Sequence, residues 1–215
     1  MTSRYRAALF DLDGVLADSA QHHYRAWKRL AAELGIALDE AFNERLKGVD
    51  RMGSLDLILS HGGRSCTARE REALAARKND YYREQVAHMT PDDLLPGARE
   101  ALLSCRAAGM RTALASASRN APMLIERLGI ADLFDGIADP ALAPSKPDPG
   151  IFRLAAGILD VAPEEAIAID DAEAGVAAAK AAGCFVIGIG DPSILRAADL
   201  VLPDIKALDI ARLPR

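Results

Sequence analysis

Five apolar runs punctuate the chain, Ala7–Phe10, Thr112–Ala115, Ala166–Ile169, Cys184–Ile189 and Leu200–Leu202. Each is bounded by Asp, Gly or Ser and is nearly free of polar residues, the pattern of a strand covered on both faces. From Gly97 onward the runs alternate with segments of helical periodicity, and Gly109, Gly129 and Gly183 each close such a segment just before the next apolar stretch. Glycine in that position reads as a left-handed helix C-cap. Strands and helices in alternation predict an α/β protein with a doubly wound, Rossmann-like parallel sheet, in which ligands gather at the carboxyl ends of strands.

Between residues 19 and 91 the pattern changes. Ser19–Leu34 stops at Gly35, a second helical segment approaches Gly48, and a third opens at Thr67 with Glu70 three residues on, with no strand between them. The Thr67/Glu70 spacing is that of a capping box, and Thr90-Pro91-Asp92-Asp93 has turn chemistry. The expected organisation is a core of two segments, 1–18 and 92–215, with a helical domain, 19–91, inserted after the first strand.

Composition narrows the function classes. The 215 residues are 50% hydrophobic and 27% charged, enough for a soluble globular protein with a sizeable core. Aromatic residues make up only 5%, so the core rests on Ala, Leu, Ile and Val, and base-stacking platforms are not expected. With 26 basic and 31 acidic residues the formal charge is -5, which argues against nucleic acid or an anionic membrane as partner. An anionic ligand then needs a local basic pocket. Cys66, Cys105 and Cys184 form no C-x-x-C pair, so neither a disulfide framework nor a zinc site is expected. The first six residues lead into only four apolar ones, far short of the about 20 needed to span a membrane, and a cytoplasmic location is expected.

The chemistry lies at strand ends. Asp11 and Asp13 close the first apolar run, and Asp170 and Asp171 close another. In a parallel sheet with both strands central, these carboxylates converge, repel one another and require a cation; oxygen ligands without His or Cys suit Mg²⁺. A single such Asp could equally cap the following helix. After Ala115 comes Ser116-Ala117-Ser118-Arg119-Asn120, either a phosphate cradle or an ordinary helix cap. Lys146 lies in Ser145-Lys146-Pro147-Asp148-Pro149, where the prolines restrict the backbone and favour a fixed ammonium over a solvated one.

These four motifs, D-x-D-G-V at Asp11–Val15, Ser116, Lys146 and the pair Asp170-Asp171, occur in the order of the haloacid dehalogenase-like phosphotransferase superfamily, which the chain resembles over most of its length. The helical insertion resembles that superfamily's small cap domain. The resemblance implies that Asp11 is a nucleophile forming an aspartyl phosphate and Asp13 a general acid and base. It implies that Ser116 and Lys146 hold the phosphoryl oxygens. Mg²⁺ is implied on Asp11, Asp170, Asp171 and the backbone carbonyl of Asp13.

The inserted segment bears on the acceptor. His23 and Trp27 lie four apart on one helix, Lys47-Gly48-Val49-Asp50-Arg51 and Ser54 follow, and Lys78-Asn79 sits on a third helix. Taken singly, His23 and Trp27 read as core or cleft, Arg51 as a phosphate clamp or a surface charge, and Lys78 as a snorkelling or a cleft-lining cation. Together with Ala117, Ser118, Arg119 and Asn120 they resemble the sugar-phosphomutase branch of the superfamily. The resemblance implies interconversion of β-glucose 1-phosphate and glucose 6-phosphate through the 1,6-bisphosphate, with these residues binding the substrate and a monomer acting on small sugar phosphates. The competing readings are a sugar-phosphate phosphatase on the same scaffold and a receiver-like module in which Asp11 is phosphorylated only as a switch. Asp170, Ser19, Ala172 and Asp50 depart from the branch's pattern; the short Asp170 side chain is expected to weaken direct metal contact, and Asp50 to weaken a phosphate site at Arg51.

Overall fold

The computed structural model describes residues 4–214; Met1–Ser3, the start of the expected core segment, and Arg215 lie outside the described residues. Its strands are β1 (Ala7–Phe10), β2 (Arg111–Leu114), β3 (Gly136–Ile137), β4 (Ala166–Asp170), β5 (Phe185–Ile189) and β6 (Leu200–Leu202). They form one parallel sheet in the order β3-β2-β1-β4-β5-β6. The α-helices are α1 (Ser19–Glu33), α2 (Glu40–Glu44), α3 (Arg51–His61), α4 (Ala68–Val86), α5 (Ala98–Ala107), α6 (Ala121–Arg127), α7 (Gly150–Ile158) and α8 (Glu173–Ala182).

The expected apolar runs fall on β1, β2, β4, β5 and β6, with ends shifted by at most a residue. Strand β3 was not anticipated, because two residues are too few for any periodicity to register. Double coverage fails at β6, an edge strand whose Leu200 is 37% exposed. Gly109, Gly129 and Gly183 all have positive φ, as expected.

Alternate residues of the central strands feed two separate apolar layers. Ala8, Phe10, Ile167, Ile169 and Ile187 pack with Leu102, Leu124 and Ile125 of α5 and α6. Ala7, Leu9, Ala113, Ala168 and Val186 pack with Ile151, Phe152, Val176 and Ala179 of α7 and α8. Small strand residues on the second face let α7 and α8 approach closely. Each fully buried Leu, Ile or Phe contributes roughly 1.5–3 kcal/mol, so β1 and β4 are held firmly at the sheet's centre. Their register pairs Phe10 with Ile169, which places Asp11 beside Asp170.

Helices α1, α3 and α4, with α2, enclose a third cluster containing Trp27, Leu30, Phe42, Leu55, Ile58 and Leu74. The Thr67/Glu70 capping box that opens α4 is formed. The helices around it also reach the sheet: Ala26 of α1 and Tyr82 and Val86 of α4 belong to the layer under α5 and α6. Among the described residues no helix is long and apolar enough to cross a membrane.

Candidate active site

Asp11, Asp170 and Asp171 bring carboxylate oxygens within 4.8 Å of one another at the carboxyl end of β1 and β4. Burial pushes the Asp11 carboxyl up to about 7, with Asp170 and Asp13 adding to the rise and Lys146 opposing it. Burial likewise raises Asp171 well above the usual carboxylate range, helped by Asp170 and Asp11 and opposed by Lys47 and Lys146. Three carboxylates gathered this closely, in an oxygen-only set, fit a hard divalent cation. Two glycines make room for this packing. A Cβ on Gly14 would fall inside the Asp171 carboxylate, and one on Gly175 inside that of Asp170. Gly175→Ala is therefore expected to weaken divalent-metal affinity at least about tenfold, read by titration calorimetry, since displacing a ligand's support has that scale of effect.

Asp170 is fully buried and lies beneath the cavity floor. Its Oδ2 accepts from Lys146 Nζ at 2.8 Å and its Oδ1 from the Ala172 backbone N–H at 3.0 Å. Lys146 Nζ also donates to Asp11 Oδ1 at 2.9 Å. The ammonium is thus fixed between two acids, as the proline-rich loop suggested; despite burial, the two carboxylates hold its pKa above the ordinary lysine value. Ser116, also buried, accepts from Ser118 N–H at 3.1 Å, and Ser118 Oγ from Asn120 N–H at 3.3 Å. These turns shape 116–120 into a wall of the cavity.

Asp13 points toward the helical segment. Ser19 Oγ donates to its Oδ1 at 2.5 Å, and His23 Nε2 lies 3.6 Å from the same oxygen. Lys78 Nζ lies 2.6 Å from His23 Nδ1, so an ammonium donating there puts the ring proton on Nε2, facing Asp13. Burial and Lys78 hold His23 well below its ordinary pKa, so it is neutral. Its ring stacks on Tyr82, with centroids 3.9 Å apart. Lys78 does not snorkel: it is 2% exposed, with Nζ 4.6 Å from the Trp27 ring centroid.

Burial, reinforced by Arg51, lowers the Lys78 pKa to about 7 from 10.5. Between those values the unfolded chain holds a proton that the folded chain has released, so this residue's contribution to stability rises with pH. Below about 7 its cost is fully present. Relative to Lys78→Met, the wild type is expected to gain stability from pH 7 toward 10, with a slope approaching about 1.4 kcal/mol per pH unit. Urea unfolding of both proteins across that range checks this; parallel pH profiles would contradict it.

Most of these groups open on one cavity of about 550 Å³, with Ser19, Tyr82 and Asp170 outside its lining. Asp11, Asp13, Ser116, Lys146 and Asp171 line one part; His23, Trp27, Lys47, Gly48, Val49, Arg51, Ser54 and Lys78 line the helical side, and Ala117, Ser118, Arg119 and Asn120 complete the wall. Arg51 and Arg119 are close enough that Arg119 adds to the burial that lowers the Arg51 pKa, with Asp80 opposing. Two like-charged guanidiniums held together mark a place for an anion. Gly48, at φ +71°, lets the 47–51 loop settle on the core: a Cβ there would stand 3.3 Å from Ala172 Cβ and 3.6 Å from Lys146 Cδ.

Two expectations change. Asn79 does not line the cavity; its Oδ1 accepts from Asn120 Nδ2 at 2.9 Å, behind the wall. The Asp50 carboxylate is engaged as a cap on α3 rather than turned toward Arg51, its Oδ1 accepting from Met52 and Gly53 N–H at 2.7 and 3.0 Å. Ser19, Tyr82 and Ser145 were given no role by the sequence. Tyr82 had a signal in its spacing of four from Lys78, and Ser19 in its place six residues after Asp13, whereas nothing local announces the Ser145 contact.

A family model described as haloacid dehalogenase-like hydrolase matches residues 5–183. Beta-phosphoglucomutase of Bacillus subtilis is 46% identical over 92% of this chain and 88% of its own. The phosphorylated carbohydrates phosphatase of Thermotoga maritima is 30% identical over 82% of this chain and 81% of its own. Among solved structures, beta-phosphoglucomutase from Clostridium difficile superposes with a TM-score of 0.93 at 41% identity, covering 95% of this chain and 93% of that one.

Proposed function

The chain belongs to the haloacid dehalogenase-like hydrolase family, and from that premise and the geometry of its site we infer that it is a phosphomutase. It interconverts β-D-glucose 1-phosphate and D-glucose 6-phosphate through β-glucose 1,6-bisphosphate and an aspartyl-phosphate enzyme. The observation that carries this reading over hydrolysis is the pairing of two anion-holding groups on one cavity, Asp11 with Lys146 and Ser116, and Arg51 with Ser118, Arg119 and Asn120. A phosphatase acting on a monophosphate needs only the first. A bisphosphate needs both.

Asp11 attacks phosphorus in line, and the bond to the sugar oxygen breaks as Asp13 delivers its proton to that oxygen. In the reverse half-reaction Asp13 takes the proton from the sugar hydroxyl that attacks the aspartyl phosphate. Ser19 and the Nε2–H of His23 steady Asp13 for this exchange. Lys146 and Ser116 take the oxygens of the transferring phosphoryl group, while Arg51, Ser118, Arg119 and Asn120 hold the distal phosphate. Lys47, Gly48, Val49, Ser54 and Trp27 enclose the sugar. Asp11, Asp170, Asp171 and the Asp13 carbonyl would hold Mg²⁺, which would supply positive charge to offset repulsion between carboxylate and phosphate.

Residues 19–91 act as a cap on the core formed by 1–18 and 92–215. His23 and Lys78 both come from this cap, so closure completes the setting of Asp13 and excludes water at the same moment. Every group in the scheme comes from one chain, so a monomer suffices. Turnover of β-glucose 1-phosphate in H₂¹⁸O with Mg²⁺ and a trace of bisphosphate tests the reading. Glucose 6-phosphate whose phosphoryl group is free of ¹⁸O supports it, and ¹⁸O-labelled inorganic phosphate released with each turnover overturns it.

A further inference from the structure

The two phosphate-holding groups sit on opposite sides of the boundary between cap and core, and one hydrogen bond joins their immediate neighbours. Asp50 N–H donates to Ser145 Oγ at 3.0 Å. Ser145 precedes Lys146, whose ammonium is fixed on Asp11 and Asp170. Asp50 precedes Arg51 and, through its carboxylate, caps the helix that Arg51 opens. Both residues line the cavity and are half-buried.

The route from one phosphate group to the other is therefore short and stiff. It passes from Lys146 to Ser145 Oγ, across the boundary to Asp50 N–H, through the first turn of α3 and out to Arg51. The approach of Gly48 to Ala172 and Lys146 holds the same loop against the core. Building on the phosphomutase reading, we propose that Ser145 is a positioning residue that seats Arg51 over the distal phosphate only when the cap is closed on Lys146, and so directs the phosphoryl group to sugar rather than water. Ser145 touches neither reacting atom in this role; it acts through Asp50.

The test compares wild type, Ser145→Ala and Ser145→Thr in the full-length, Mg²⁺-loaded chain on two substrates. One is β-glucose 1-phosphate with the bisphosphate, which engages Arg51; the other is acetyl phosphate, which has no second phosphate. Loss of one hydrogen bond is expected to raise KM for the bisphosphate and the share of phosphoryl groups reaching water each about fivefold in Ser145→Ala. Hydrolysis of acetyl phosphate stays within about twofold, which also reports an intact fold, and Ser145→Thr returns both quantities toward wild type. Equal losses on both substrates, an unchanged partition, or failure of Thr to restore it would overturn the proposal. If the wild type isomerises and Ser145→Ala partitions identically, this inference alone falls. If the wild type releases one phosphate per sugar, the phosphomutase reading falls and takes this one with it.

Discussion

Asp11→Asn is expected to abolish both isomerisation and hydrolysis, lowering turnover by at least about 10⁴-fold, because an amide cannot form the acyl phosphate. The same change should leave the fold intact. An Asn oxygen can still accept from Lys146, as Asp11 Oδ1 does at 2.9 Å, and one negative charge is removed from a group in which burial and neighbouring acids already oppose ionisation. The melting midpoint should therefore stay level or rise. A variant that unfolds would mean Asp11 is required structurally, and one that keeps a tenth of the activity would mean another group attacks phosphorus.

Arg51→Ala separates the two proposed phosphate sites. Loss of a charged, fork-shaped contact to the distal phosphate is expected to lower mutase kcat/KM roughly 100- to 1,000-fold. Hydrolysis of a small aryl phosphate, which makes no use of the distal site, should change by less than about threefold. Stability should not suffer, since Arg51 is half-buried, is repelled by Arg119, and leaves the Asp50 cap of α3 in place. Equal losses on both substrates would show that Arg51 supports the site as a whole.

Much of this was legible in the chain because it depends on local pattern. The apolar runs of β1 and β4 and the acids that end them sit next to one another in sequence, and a parallel sheet needs only one pairing, Phe10 with Ile169, to bring them together. The Thr67/Glu70 box and the helix-closing glycines are likewise local. What stayed hidden depends on long-range contact. The Ser145 to Asp50 bond spans 95 residues and the Asn120 to Asn79 bond 41, and neither serine nor asparagine advertises a partner at that distance. Asp50 shows the same limit from the other side. Beside Arg51 in the sequence it looks like a competing charge, and only the start of α3, two backbone N–H groups in need of an acceptor, gives its carboxylate another purpose. Strand β3 escaped because two residues carry no period.

The central claim is that this site passes a phosphoryl group between two positions of one sugar. The most direct measurement is a phosphorus balance: β-glucose 1-phosphate, a trace of β-glucose 1,6-bisphosphate and Mg²⁺ are incubated with the enzyme, and glucose 6-phosphate and inorganic phosphate are counted together. The account requires glucose 6-phosphate to accumulate over many turnovers while inorganic phosphate stays near the amount of bisphosphate added. Inorganic phosphate rising in step with sugar consumed, with glucose as the product, would contradict it.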